Sequence, residues 1–304
     1  MGEFDLLKEP NHAGKRVPGL WTSRQLVEHK SVGPIAASEE RLLELAEAGY
    51  LPWVEIDGRG PYFRLGVVRE WLHANLFTEH PDGLCISYTP VMQDGCYNAS
   101  LLGAELLART YTVTGETALR DVAERAVQYV VARQHADGRW NYSVDLDTGA
   151  ERAQVDFHQG FVLDSLYACM THAGLDDPAY DATLRRGAQF YYEQQFTNEG
   201  RALWRLPKRW PSDIHCQAQG VITFSKLHHL DPAYGPFAER IAAWTIRHMQ
   251  DPEGFFYYRR GRVFTNRIPY MRWGQAWMML ALAHLPTSAK GSSLSPSDHQ
   301  TLTV

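Results

Sequence analysis

Long apolar runs are absent from this chain of 304 residues: none reaches the roughly 18–20 residues that a helix needs to span a bilayer. The N-terminal stretch Met1-Gly2-Glu3-Phe4-Asp5 is acidic and lacks an apolar signal core. Cysteine is scarce. Cys85, Cys96, Cys169 and Cys216 form no CxxC pair, so no disulfide framework is expected. These absences predict a reduced, cytoplasmic protein with no membrane span. A surplus of positive charge is missing as well. The 30 Lys and Arg face 35 Asp and Glu, giving a formal charge of −5 and a pI near 6.2. That removes any global electrostatic reason to bind nucleic acid or an anionic membrane. Apolar residues make up 44% of the chain, enough to bury a sizeable core in one large domain or two ordinary ones.

Residues 1–19 carry Pro10, Gly14, Pro18 and Gly19 without a period and read as a loosely ordered lead-in. A module at 20–80 follows. Trp21–His29 can form a short helix. Ser38 is a good N-cap for Arg41–Ala48, and Gly49 is a natural stop. Asp57-Gly58 lies between aromatic and β-branched runs and signals a hairpin. Leu65–Leu76 is amphipathic, with Val68, Trp71 and Leu72 on one face. Two stretches, Leu45-Ala46-Glu47-Ala48-Gly49-Tyr50-Leu51-Pro52 and Val68-Arg69-Glu70-Trp71-Leu72, resemble the winged-helix DNA-binding domains of the excisionase and MerR-like type. The charge argues against DNA reading. Residues 1–80 hold nine Lys/Arg against twelve Asp/Glu, net −3, and the second helix begins Glu39-Glu40. A DNA-reading face needs clustered Lys and Arg. The module reads instead as a packing or partner-docking element, with DNA docking as the alternative.

From Pro81 the pattern becomes an internal repeat. Four turn-plus-aromatic segments can be laid on each other: Pro81-Asp82-Gly83 to Tyr88, Ala136-Asp137-Gly138 to Tyr142, Asn198-Glu199-Gly200 to Trp204, and Pro252-Glu253-Gly254 to Tyr258. Their glycines are 55, 62 and 54 residues apart. Each segment leads to an apolar helix, opened at Asn98, His158, His215 and Trp273, spaced 60, 57 and 58. More amphipathic helices lie between, at Glu116–Gln134, Pro178–Gln195 and Asp231–Gln250. A helical hairpin of about 58 residues repeats, and such units bury their apolar faces only by stacking. The expected fold is mainly α: an α/α toroid, or an arc of one, over residues 81–286, with a disordered Ser-rich tail at 287–304.

Arg125–Val131 followed by Gln134-x-x-Asp137-Gly138-x-Trp140 resembles the QW repeat of terpenoid cyclases. That resemblance implies architecture; the DxDD and DDxxD motifs of cyclisation are absent from the sequence. Further stretches are similar to bacterial toroid proteins associated with exopolysaccharide biosynthesis. They are Ser87-Tyr88-Thr89-Pro90, Tyr97–Gly103, Asp156-Phe157-His158-Gln159-Gly160-Phe161 and Trp210–Gly220. Those proteins share their fold with glucuronyl C5-epimerases and unsaturated-uronide hydrolases. The relatives carry more hairpins ahead of this region. Three and a half hairpins do not close a six-hairpin ring, so either the N-terminal module or a second subunit, as a homodimer, covers the open edge.

The inner-helix starts gather Asp156, His158, Gln159, Asp213, His215, Gln217, Asn98, Tyr97, Tyr270, Arg272 and Gln275. Helix N-termini favour carboxylates, so Asp156 and Asp213 can simply be caps. The histidines at matching places point to a pocket. Three chemistries fit. In the first, Arg272 binds the carboxylate of a sugar uronate, His158 or His215 removes a proton, and Tyr88, Tyr97 or Tyr270 returns it. In the second, Asp156 and Asp213 form the acid/base pair of a glycoside hydrolase. In the third, Asp156, His158, Asp213 and His215 hold a divalent metal, but their spacing is no known ligand signature. No metal or cofactor is therefore assigned. Trp140, Tyr142, Trp204, Trp210 and Phe255–Tyr258 either plug the seams between hairpins or floor a sugar site. Lys208, Arg209, Arg259, Arg260, Arg262 and Arg267 give these loops a positive flank suited to an anionic small molecule or glycan. The leading expectation is a carbohydrate-active enzyme, epimerase or lyase, acting on an acidic sugar in polysaccharide biosynthesis. A glycoside hydrolase, a terpenoid-cyclase-like cyclase and a non-catalytic adaptor are the alternatives.

Overall fold

Four glycines set the geometry of the repeat. In the computed structural model φ is 135° at Gly83, 94° at Gly138, 90° at Gly200 and 97° at Gly254, a region that L side chains avoid. The last three turns close identically. The His135 amide donates to the Arg139 carbonyl and the Gly138 amide to the His135 carbonyl, both at 2.9 Å. Thr197 with Arg201 and Gly200, and Asp251 with Phe255 and Gly254, repeat the pair at 2.8–2.9 Å. A Cβ added at Gly83, Gly138 or Gly200 would lie 2.2, 2.4 or 2.7 Å from the carbonyl oxygen of Arg125, Arg186 or Arg240. The turn backbone thus lies directly on an outer helix, and only hydrogen fits between them.

The structure describes residues 76–89 and 94–285; of the chain before them it describes the strands β1 (Leu20–Thr22), β2 (Val54–Ile56) and β3 (Arg59–Arg64) and the helical residues Leu43 and Glu47. The hairpin expected at Asp57-Gly58 forms between β2 and β3, and β1 adds to β3 in the order β1-β3-β2. The helix expected from Trp21 is corrected at its start: Leu20, Trp21 and Thr22 pair with Arg64, Phe63 and Tyr62. Aromatic and β-branched residues suit that pleated pairing, and the β3 partner overrides the local helical pattern. The rest of the 20–80 module, the lead-in and the tail lie outside the described residues. The winged-helix reading has no support from those that are described.

The chain divides into two compact units, Met1–Tyr191 and Tyr192–Val304. In the first, β4 (Phe77–His80) and β5 (Gly83–Ile86) form the first repeat turn, and β6 (Asp94–Cys96), β7 (Ser143–Asp145) and β8 (Glu151–Arg152) form an antiparallel sheet. The inner helices α1 (Tyr97–Thr114) and α3 (His158–Ala173) pack on each other, and the outer helix α2 (Thr117–Val131) packs on α1. The outer helix α4 (Pro178–Gln194) carries the chain across the unit boundary. Pro178 takes the first helical position, where its missing N–H costs nothing, and the Asp177 carboxylate caps the Ala179 amide at 2.8 Å. Leu101, Leu163 and Leu166 are fully buried, each contributing roughly 1.5–3 kcal/mol of apolar burial.

In the second unit, β9 (Ser212–Asp213) pairs with β10 (Arg259–Arg260), which pairs with β11 (Thr265–Asn266). The inner helix α5 (Ile214–Lys226) packs on the outer helix α6 (Tyr234–Met249) and on α7 (Ala276–His284), which a π-helical turn at Met271–Gln275 precedes. Every residue from Ile214 to Ser225 is buried, as the apolar pattern of an inner helix requires. Phe196, Phe224, Tyr234 and Phe237 interlock beside α5 with ring centroids 5.1–5.6 Å apart. All four cysteines are buried thiols, none of them in a disulfide. Among the described residues no helix is long and apolar enough to cross a membrane.

Alanine at the turn glycines should rank by what its Cβ meets. Gly138→Ala and Gly200→Ala are expected to destabilise by about 2–5 kcal/mol, combining the left-handed penalty with the backbone clash. Gly254→Ala meets no atom within 4 Å and should cost only the conformational part, about 1–2 kcal/mol. Thermal melts of the three variants check the order.

Candidate active site

Three of the glutamines at the inner-helix starts are structural clips. Gln159, Gln217 and Gln275 recur at intervals of 58 residues. Gln159 accepts the Trp140 amide and donates to the Gly138 carbonyl, both at 3.1 Å. Gln217 accepts the Ala202 amide and donates to the Gly200 carbonyl (3.3 Å) and to Thr245 Oγ1 (2.6 Å). Gln275 takes both groups of Phe256, at 2.8 and 2.7 Å. In each case the clipped amide lies two residues after the turn glycine. The first repeat substitutes Ser100, whose hydroxyl bonds both the amide and the carbonyl of Ile86 at 2.9 Å. A primary amide carries a donor and an acceptor side by side, so it can satisfy a turn backbone that burial hides from water. Gln217 and Gln275, expected to bind substrate, are corrected to this role. Their shared 58-residue spacing is the sequence signal for it.

Trp140 is also structural: it is buried and donates Nε1–H to the Val130 carbonyl at 2.9 Å. Tyr97 is buried beside Tyr129, and burial, with Glu151 adding, pushes its phenol up to about 12. Asn98 is buried and accepts the Cys96 thiol at 3.0 Å. Tyr97 and Asn98 are enclosed in the fold, where sequence reasoning placed them on an open rim, and buried Trp140 fits the seam-plugging alternative of the two expected for it. The helix pattern located their segment correctly but carried no information on which side faced inward.

The two Asp-x-His motifs do different work. Asp156 precedes α3 and accepts the His158 amide at 3.2 Å, so it is a cap. It also holds the His158 ring, with Oδ1 2.6 Å from Nδ1, while Oδ2 accepts the Gln154 amide at 2.7 Å. Burial alone would raise the Asp156 carboxyl, but the hydrogen bond and charge of His158, its amide and Gln154 outweigh burial and hold it below the usual range. A carboxylate at this distance places a hydrogen on Nδ1, so in the neutral ring the lone pair is on Nε2. The His158 side chain is 22% exposed. Its ring stacks on Phe157 (4.2 Å, 27°) and meets the edge of Tyr142 (4.7 Å, 78°). Burial first, and then the Cys96 thiol, raise the Tyr142 phenol, which therefore stays protonated. Arg152 stands over the Tyr142 ring at 4.8 Å.

Asp213 is the N-cap of α5, accepting the His215 amide at 2.9 Å. Its second oxygen takes Arg259 Nε at 2.5 Å, not the histidine ring. Burial opposes the Arg259 charge, but the Asp213 carboxylate prevails and raises the guanidinium above its usual value. The pairing follows from register, since Arg259 and Asp213 are partners in adjacent strands. The His215 ring is buried against Trp277 (4.8 Å, 27°) and Trp273 (5.1 Å, 48°). Tyr270 is exposed, edge-on to Tyr258 at 4.8 Å. Arg272 and Tyr88 are exposed, and Trp210 lies under Arg201 at 4.0 Å. Among the described residues no three His, Cys, Asp or Glu side chains are grouped as a metal ion would need. Gln154 escaped the sequence reading because it lies in irregular backbone; Arg259 is in the expected positive flank, but its pairing with Asp213 runs through strands of only two residues and leaves no sequence signal.

This arrangement of helical hairpins matches solved structures. A D-mannose isomerase aligns with a TM-score of 0.59 at 12% identity, over 91% of this chain and 74% of its own. The fold is an α/α toroid. The cellobiose 2-epimerase of Bacillus thermoamylovorans B4167 aligns with a TM-score of 0.54 at 13% identity, over 89% of this chain and 74% of that one. The unsaturated glucuronyl hydrolase of Bacillus sp. GL1 aligns at 0.53 and 16%, over 87% and 72%. No protein-family model and no curated protein matches the chain. In the toroid, the repeat turns and the starts of the inner helices are tied by the glutamine clips, and Asp156 and His158 stand at one such start.

Gln217→Leu should destabilise by about 2–4 kcal/mol, because two buried turn groups lose their partner. It should leave the Michaelis constant of any substrate unchanged, a split that melts and kinetics together can read. Asp156 makes a second, pH-dependent prediction. Its folded pKa lies below the ordinary value of about 3.9. The stability it contributes is complete above that ordinary value and is lost as pH falls through the lower folded value. Asp156→Asn should flatten this acid limb in a pH series of melting temperatures.

Proposed function

We propose that this chain is a sugar-active enzyme that moves a proton on carbon, with His158 as base and Asp156 as the group that orients it. The carrying observation is the 2.6 Å bond from Asp156 Oδ1 to His158 Nδ1, on a ring whose other edge makes no hydrogen bond among the described residues. A base of this kind removes a proton from the carbon beside an open-chain sugar carbonyl. The electron pair passes into the carbonyl to give an enediolate, and the imidazolium faces the Asp156 carboxylate. Return of the proton to the neighbouring carbon gives isomerisation; return to the same carbon from the opposite face gives epimerisation. Phe157, Tyr142 and Phe161 surround the ring with apolar surface, which sharpens the electrostatics of the step. The names of structural neighbours, a cellobiose 2-epimerase and a D-mannose isomerase, support the same reaction class.

Hydrolysis by an aspartate pair fits less well. A general acid must hold its proton near neutral pH. Asp156 is shifted the other way, and Asp213 is engaged by Arg259. Lyase chemistry would use the same base, with loss of a leaving group in place of proton return.

The test is incubation with aldoses, ketoses and uronates in deuterium oxide, followed by NMR. Deuterium should enter the carbon beside the carbonyl, and His158→Ala should slow that exchange about 10²–10⁴-fold. Full exchange in His158→Ala, or reaction without deuterium entry, would sink the proposal.

A further inference from the structure

We infer that the second unit holds a binding site for an anionic group carried by a sugar, a carboxylate or a phosphate, built around Arg201, Arg209 and Arg262. Arg201 is only 9% exposed. Its guanidinium lies 4.0 Å above the Trp210 ring, and Nη1 donates to the Arg209 carbonyl at 2.8 Å and to Ser212 Oγ at 3.4 Å. These partners fix its direction but carry no charge. Among the described residues no carboxylate forms an ion pair with Arg201, Arg209 or Arg262. Burial, and then the like charges of Arg209 and Arg262, work against the Arg201 charge, while Glu199 favours it from beyond ion-pair distance.

A buried charge normally has a counter-charge, because leaving it without one is costly. Here the surrounding sequence supplies more of the same sign. Residues 201–213 contain four Lys/Arg and one carboxylate, Asp213, which Arg259 already holds. Residues 259–267 contain four Arg and no acidic residue. In a chain whose net charge is −5, this local surplus is a specific feature. A planar guanidinium fixed by stacking and two hydrogen bonds is pre-organised for a carboxylate or phosphate, and the exposed Arg209 and Arg262 can close on the ligand from solvent. That the anion belongs to a sugar rests on the function proposed for His158. The anion site itself does not.

The experiment is calorimetric titration of the full chain at constant ionic strength with glucose, glucuronate, glucose 1-phosphate and inorganic phosphate. Glucuronate or glucose 1-phosphate should bind at least about tenfold more tightly than glucose, and the double variant Arg209→Ala/Arg262→Ala should lose that advantage. Arg201→Met should lose it too while melting no lower than the parent, since it removes a buried charge that has no counter-charge. His158→Ala should bind like the parent, which separates this site from the catalytic proposal. Equal binding of glucose and its acidic forms, or an unchanged preference in the double variant, would overturn the inference. Inorganic phosphate binding as tightly as glucose 1-phosphate would overturn the sugar part of it.

Discussion

A side-chain amide at the start of an inner helix, bonded to the backbone of a repeat turn, is the interaction on which the rest of the toroid depends. The turn must pass so close to an outer helix that only glycine fits, as the 2.4 Å approach to the Arg186 oxygen at Gly138 shows. That closeness hides the following peptide groups from water, and hidden peptide groups need partners. Gln159, Gln217 and Gln275 provide them from the opposite side. The turns at Gly138 and Gly200 are thus pinned between two helices, and the turn at Gly254 is held from the glutamine side.

Fixed helix starts explain why one Asp-x-His pattern can take two jobs. Asp156 and Asp213 cap their helices with the same bond to the amide two residues on. Each carboxylate then has capacity left for a neighbour, Asp156 on both oxygens and Asp213 on its second. In the first unit the neighbours are the His158 ring and Gln154, and the result is an oriented imidazole. In the second, a two-residue strand places Arg259 opposite Asp213, and the carboxylate becomes half of an ion pair, while His215 is enclosed by two tryptophans. The capping need is common to both, and the difference lies wholly in what the adjoining loop delivers.

The helical repeat was legible because periodicity and glycine spacing are local. The outer helices expected from Glu116, Pro178 and Asp231 begin at Thr117, Pro178 and Tyr234. The candidate site was legible as a set of segments, less so as a set of roles. Gln217 and Gln275 are chemically suited to a sugar hydroxyl and to a peptide group alike, and only the fold decides between them. Tyr97 and Asn98 are enclosed for a related reason: a helix start has an inner and an outer side, and composition does not distinguish them. The helical pattern from Trp21 misleads at Trp21 and Thr22 because their strand partners lie about forty residues away, beyond any local pattern.

The clip joins residues 19, 15 and 19 positions apart in the three repeats that use glutamine. Its two ends make the same bonds whether the chain between them is long or short. The intervening segments hold β7 and β8 in one repeat, the arginine- and tryptophan-rich stretch before Asp213 in the next, and β10 and β11 in the last. Length and composition can therefore drift there without loosening the frame. The scaffold keeps its architecture in one set of residues and its chemistry in another, and evolution can revise the second while the first stays still.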